Sequence, residues 1–499
     1  MIHLNEVLFL FLAGIIITIF RLSSYKPQPF FSSKPFLNNF NLNFFNLDFF
    51  NLNFFNNTST TQASSHLKHT NTQKIQDINT LADCHEIASR LSELIRKDGA
   101  GSWPPNTNHL STTWPASLRP YKEIYTEMAP LLPAAHASLD DNINHQIISS
   151  FRSRFRQLLS EKVNLDEVTS LLSAAASGRW DVFPRDTYNA FYSCLAWCRH
   201  AYRWASIPVV SLAQREDALP LPRELVVPWN KMQAHFQLAS DSGNNMSNLV
   251  LNFNNSGEYQ YKINTGLSQK IVSSEGEFTK IFYEVETLAV PIYHAMVRSI
   301  VAFARENKKE CLRYVREVND KLRPLLGAYY ESVHESKIKR DVWLSRVQGF
   351  YAWGMTGEER DVESQELIRF DGLSGNQVLL FQALDAYLGM EPYLTREVMD
   401  RNVPGLQRGF VDSLGRFCFR GLLKDGCGED GEIKGEMLEI VKRMRVFRSA
   451  HRTRAKVYLS VPAPERMPMT AGKSLLKDDS VGGIDFLDQF MVKRLQQTV

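Results

Sequence analysis

The chain has little cysteine and almost no net charge. Its six cysteines, Cys84, Cys194, Cys198, Cys311, Cys418 and Cys427, lack the paired spacings of a disulfide framework or a zinc ribbon in 499 residues. A reducing compartment follows. Lys plus Arg total 57 against 54 Asp plus Glu, a formal charge of +3. No electrostatic footprint of a nucleic-acid partner is present. The apolar run Val7 to Phe20 is shorter than the roughly 20 residues a spanning helix needs. Only His3 and Glu6 stand before it, so it also lacks the leading positive charge of a signal peptide. It remains a candidate short anchor over residues 1–22. The cations after it, Arg21, Lys26 and Lys34, would keep the rest of the chain cytosolic. Strand-like alternation is scarce as well.

What is there divides into two textures. Residues 23–76 read as a low-complexity linker that holds a pentad repeat, FNLNF, FNLDF and FNLNF from Phe40 to Phe54. That period belongs to neither a helix nor a strand. Repetitive coding DNA or an inaccurate gene start explains it, and a sticky Asn- and Phe-rich linker is the alternative. From Ile78 the pattern turns to amphipathic helices, with Ile78, Leu81, Ile87, Leu91, Leu94 and Ile95 near helical spacing and a stop at Asp98 to Pro105. Helices are expected over 147–159, 166–176, 188–204, 278–306, 311–335, 341–353, 378–389, 395–401, 407–422 and 432–459. The extended candidates are Leu225 to Pro228 and Leu249 to Phe253. With 44% hydrophobic residues the chain supports a sizeable core. The fold class is all-α.

Several constellations suggest chemistry. Cys194 and Cys198 share a helix face near His200, which fits either part of a metal site or two small buried thiols; a structural zinc site needs a second ligand pair, and none is spaced for it. Arg445, Arg448, Arg452 and Lys456 form a basic stripe, read as a solvated face. On the neighbouring face His451 sits among Ile440, Met444, Phe447 and Ala455 and is expected to be a hydrogen-bonded core residue. Small residues at Asp371 to Asn376 and at Ser480 to Ile484 would let backbone approach a ligand closely.

Taken in order, five segments resemble one family, the indoleamine 2,3-dioxygenases. They are HAYRW from His200, LPRELVVP from Leu221, FDGLSGNQ from Phe370 followed by Phe381 and Gln382, RSAH from Arg448 and GGID from Gly482. The resemblance spans Ile78 to Val499. It implies an all-α fold with a small helical domain at 77–265 over a larger one at 266–499, and haem b between them. It also implies a monomer acting on tryptophan or a similar indole. In that chemistry both atoms of O2 enter the indole 2,3 bond to give N-formylkynurenine.

The same resemblance locates site residues, and here the chain departs from the family pattern. The family's proximal iron ligand is the histidine of a Pro-x-x-His-Arg-x-Phe segment, whereas this chain reads Pro404 to Phe410 with Gln407 at the ligand position. An amide oxygen is a much weaker axial donor than imidazole. The family holds the substrate carboxylate with an Arg six residues before a Trp. Six before Trp353 stands Val347, and Arg346 is one step further away. One residue is about 100° of helix rotation, so Arg346 serves only through a local bulge. Phe278 matches a pocket phenylalanine, and Phe282 replaces a serine, which would make the pocket narrower and drier. Asn245 and Asn248 stand for a Tyr and a Cys. Ile484 replaces a loop Thr, while Ser374 and Gly375 fit the loop by the haem edge.

Overall fold

The computed structural model describes residues 60–135, 138, 140–205, 221–347, 350, 377–426 and 428–459, with short pieces at 358–360, 367–369, 469–470, 473–474, 492 and 495–498. The expectations for Val7 to Phe20, the pentad repeat, Ser374, Gly375 and Ile484 lie outside the described residues.

The described chain is helical, in the order α1 Thr60–Leu81, α2 Glu86–Lys97, α3 Arg119–Met128, α4 Asp141–Lys162, α5 Leu165–Ala176, α6 Arg185–Trp204, α7 Arg223–Phe236 and α8 Asn245–Asn248. There follow α9 Gln269–Ala304, α10 Lys308–Ser332, a π-helical turn Trp343–Val347, α11 Leu379–Tyr387, α12 Arg396–Asn402, α13 Gly405–Arg416 and α14 Glu429–Leu459. The strands among the described residues are two short antiparallel pairs, Glu358–Arg360 with Leu367–Arg369 and Met469–Thr470 with Lys473–Ser474. Phe55–Val499 form one compact unit.

Local chemistry sets the helix ends. Asp140, Asn164, Asn307 and Thr395 cap α4, α5, α10 and α12 by accepting a first-turn N–H on a side-chain oxygen. After α2, the N–H of Gly99 and of Gly101 donates to Leu94 O and Ile95 O, each at 2.9 Å. A Cβ on Gly99 would lie 2.1 Å from Ser102 O, so only glycine fits that turn. α6 is buried on every side from Thr187 to Trp204, the mark of a helix through the middle of a core. α9 packs on α10, α10 on α14, and α13 on α2 and α11.

Three expectations are corrected. Leu225 to Pro228 is not extended but lies in the first turns of α7. A proline inside a helix frees the carbonyl four residues back; here that is Glu224 O, and the Tyr121 hydroxyl donates to it at 2.7 Å. Leu249 to Phe253 is a 3-10 turn, Val250–Asn252, and only Phe253 makes a strand-like bridge, to Tyr259. Helical order also begins before Ile78, within the expected linker. α1 docks through buried Asn71, Ile75 and Ile78. The Asn71 Nδ2 donates to Thr287 O at 2.9 Å, the carbonyl that Pro291 leaves free inside α9.

Tyr121→Phe and Asn71→Ala each strip the partner from a part-buried carbonyl, which costs about 0.5–1.5 kcal/mol. Both variants are expected to lower the urea midpoint at unchanged m-value. An unaltered midpoint would show that these prolines need no compensation.

Candidate functional site

One wall of the site is aromatic. Phe278 and Phe282 are one turn apart on α9, with ring centroids 5.4 Å apart, and the Trp343 ring lies 4.5 Å from Phe278. Phe282 is buried and Phe278 half-buried. The sequence brings these two together as expected. It gave no sign of Trp343, whose indole Nε1 is buried without a hydrogen-bond partner. Its place three residues before Arg346 was the available signal.

Trp343 opens the π-helical turn that carries Arg346 and Val347. A π-turn holds one residue more than an α-helical turn, and Arg346 lies within it, whereas Trp353, from which its expected position is counted, lies outside the described residues. Val347 is fully buried in the hydrophobic core, while Arg346 is half-buried. Behind the turn stands Glu275, a buried carboxylate of α9. It accepts from Ile263 N at 2.9 Å, Asn264 N at 3.0 Å, Asn264 Nδ2 at 2.8 Å and the Tyr259 hydroxyl at 2.7 Å. Burial pushes its pKa up, and these bonds oppose the shift. Asn264 Nδ2 also donates to Arg346 O at 3.1 Å.

α6 meets Phe350, just beyond the turn, and packs on α8. His200 is buried, with Nδ1 2.9 Å from Phe350 O and Nε2 2.7 Å from Ser242 O; Asn248 Nδ2 lies 3.1 Å from the same Nε2. Asn245 and Asn248 are both buried on α8. Cys194 and Cys198 are buried free thiols, and Cys198 Sγ lies 3.6 Å from Tyr121 O. They belong to the core between α6 and α3. Among the described residues no group of three His, Cys, Asp or Glu side chains could hold a metal ion.

The position that the resemblance assigns to the iron ligand lies on α13. Gln407, Phe410 and Leu414 form its inward stripe. Gln407 is 2% exposed, and its Nε2 has no hydrogen-bond partner. Arg408 fixes the start of the helix, donating to Gln237 O at 3.0 Å and to Val403 O, and pairing with Asp400 at 3.2 Å. Phe410 meets Tyr293 edge-on at 5.9 Å. The Tyr293 hydroxyl and Trp103 Nε1 both donate to Glu286 Oε2, at 2.8 and 2.7 Å. Burial raises the Glu286 pKa, and the donors counter it without a cation.

Two further expectations are revised. Arg448 is not on a solvated stripe: it turns inward to Asp385 at 2.6 Å and donates to Thr498 Oγ1 at 2.7 Å. His451 is packed rather than hydrogen-bonded, stacked on Phe447 at 5.9 Å and edge-on to Tyr329 at 5.5 Å.

The family whose profile matches is described as indoleamine 2,3-dioxygenase, and the match covers residues 184–487. This chain belongs to the indoleamine 2,3-dioxygenase family. Its members are all-α proteins that generally bind haem. No curated protein matches the chain. Every site residue named from the sequence falls inside the matched span, whereas α1 to α5 precede it. The donor chemistry on α13 does not fit a histidine-ligated haem. A carboxamide offers only a neutral oxygen and two N–H donors, and the buried, unpartnered Nε2 of Gln407 has the wrong polarity to bind iron.

Burial holds His200, His235 and His451 down to about 4 from 6.5. The folded state therefore binds fewer protons than the unfolded chain. The stability these groups contribute is complete above about 6.5 and is lost as pH falls toward 4. His451→Phe removes one such transition, so its unfolding free energy should decline less steeply than wild type over that window. An identical slope would show that His451 titrates in the folded state as it does unfolded.

Proposed function

We propose that this chain keeps the substrate side of its family and has rebuilt the iron side. The ligand is tryptophan or a similar indole amino acid, the substrate class of the haem-dependent reaction that adds O2 across the indole 2,3 bond to give N-formylkynurenine. The observation that carries this reading is the π-helical turn Trp343–Val347. It supplies the extra residue that Arg346 needs to stand in for the family's carboxylate-binding arginine.

Under this reading each group has a stated task. Phe278, Phe282 and Trp343 cover the indole ring, with Phe282 excluding water where relatives carry a hydroxyl. Arg346 takes the carboxylate, and the free N–H of Trp343 is a second donor beside it. By resemblance Ser374 and Gly375 match the family's sequence by the haem edge, and Ile484 replaces the threonine of its Gly-Gly-Thr segment. Residues 77–265 form the small domain and 266–499 the large one, in a cytosolic monomer with Val7 to Phe20 as a membrane anchor. Gln407 breaks the pattern: histidine-supported oxygen activation has no counterpart at this position. A haem dioxygenase with another axial donor is the second reading. It is favoured by the extent of the family match, residues 184–487.

Calorimetric titration of the full chain with L-tryptophan tests the proposal. Arg346→Ala removes a charge-assisted contact worth about 1.5–3 kcal/mol, so its affinity should fall about tenfold or more. An affinity equal to wild type would sink the assignment of Arg346.

A further inference from the structure

A π-helical turn is a poorer hydrogen-bonding geometry than the α-helix and persists where its surroundings over-determine it. Two side chains from outside the segment take backbone carbonyls within the turn and just after it. Asn264 Nδ2 donates to Arg346 O at 3.1 Å, and His200 Nδ1 lies 2.9 Å from Phe350 O. Neither is loosely held. Asn264 is pinned through its own N and Nδ2 to the buried carboxylate of Glu275, at 3.0 and 2.8 Å. His200 is 3% exposed, and with Nδ1 donating to Phe350 O its neutral ring accepts from Asn248 Nδ2 at Nε2. Phe350 is also locked by rings of α6, with Trp197, His200 and Trp204 centroids at 5.0, 5.2 and 5.5 Å.

The bracket joins three elements that approach the turn from different directions: α6 through His200, the 259–264 segment through Asn264, and α9 through Glu275. Without it, an unbroken α-helix would be the lower-energy state of the same residues. Relaxation to that register would swing Arg346 by about 100° and present the apolar Val347 in its place.

We propose that His200 and Asn264 are positioning residues that hold the one-residue shift, and that they thereby set specificity for indoles bearing a carboxylate over indoles without one. This rests on the assignment of Arg346 to the ligand carboxylate. Neither residue touches the ligand.

L-tryptophan and tryptamine differ only in the carboxylate, so the ratio of their affinities for the full chain reads the Arg346 contact and is insensitive to general loss of binding. His200→Phe keeps an aromatic ring and loses the donor. Asn264→Ala loses the other bracket and carries the test if His200→Phe does not fold. Wild type should prefer L-tryptophan about tenfold or more, and Arg346→Ala should abolish the preference. His200→Phe and Asn264→Ala should bring the ratio close to that of Arg346→Ala while tryptamine affinity stays near wild type. His200→Gln, which retains an N–H donor, should restore much of the preference. If Arg346→Ala abolishes the ratio and both bracket variants leave it intact, the positioning role is overturned and the Arg346 assignment stands. If wild type shows no preference, both are overturned together.

Discussion

The satisfaction of buried backbone carbonyls governs this structure. A carbonyl released inside a packed helix must find a donor, because leaving it bare costs about as much as several surface interactions supply. Four such oxygens are met by side chains from elsewhere in the chain: Glu224 O by Tyr121, Thr287 O by Asn71, Arg346 O by Asn264 and Phe350 O by His200. The first two are the carbonyls left by Pro228 and Pro291. The last two lie within the π-helical turn and just after it. The donors come from α1, α3, α6 and the segment before α9, so the same bonds that permit irregular helices also fasten the elements around the site.

Buried carboxylates do the complementary work. Glu275 and Glu286 are each fully buried on α9, and each gathers donors from separate segments instead of pairing with a cation. Glu275 organises the strip behind the π-turn, while Glu286 ties Trp103 and Tyr293 together beneath Phe410. One long helix thus ties the 259–264 segment and Trp103 to the same core. Its interior proline is tolerated because α1 closes over the gap.

The helices were legible in the sequence because their apolar spacing is local, and the apolar runs of α2, α6, α9 and α10 needed no tertiary information. α7 was misread because Pro228 argues against a helix unless a distant hydroxyl repairs it. α1 was missed because its face is thin, with Asn71 doing as much to seat it as Ile75 and Ile78. The same division holds at the site. Gln407, Phe278, Phe282 and the need for a bulge beside Arg346 follow from spacing and resemblance. Trp343, Asn264 and Glu275 were invisible, and His200 was seen without its role, because their parts exist only once distant segments meet. Arg448 was misjudged for that reason too: its partner, Asp385, comes from another helix.

The central claim is that family membership has outlived the iron ligand. On the proposed reading frame and ligand position are separable: Gln407, buried on α13, stands where the resemblance puts the histidine and lacks its chemistry. The most direct measurement is the absorption spectrum of the purified full chain reconstituted with haem, in ferric, ferrous and ferrous carbon-monoxide forms, beside Gln407→His. The account predicts no stoichiometric Soret band for wild type and a histidine-ligated spectrum for Gln407→His. A stoichiometric wild-type band with a ferrous carbon-monoxide complex would contradict it and return the protein to the haem dioxygenases.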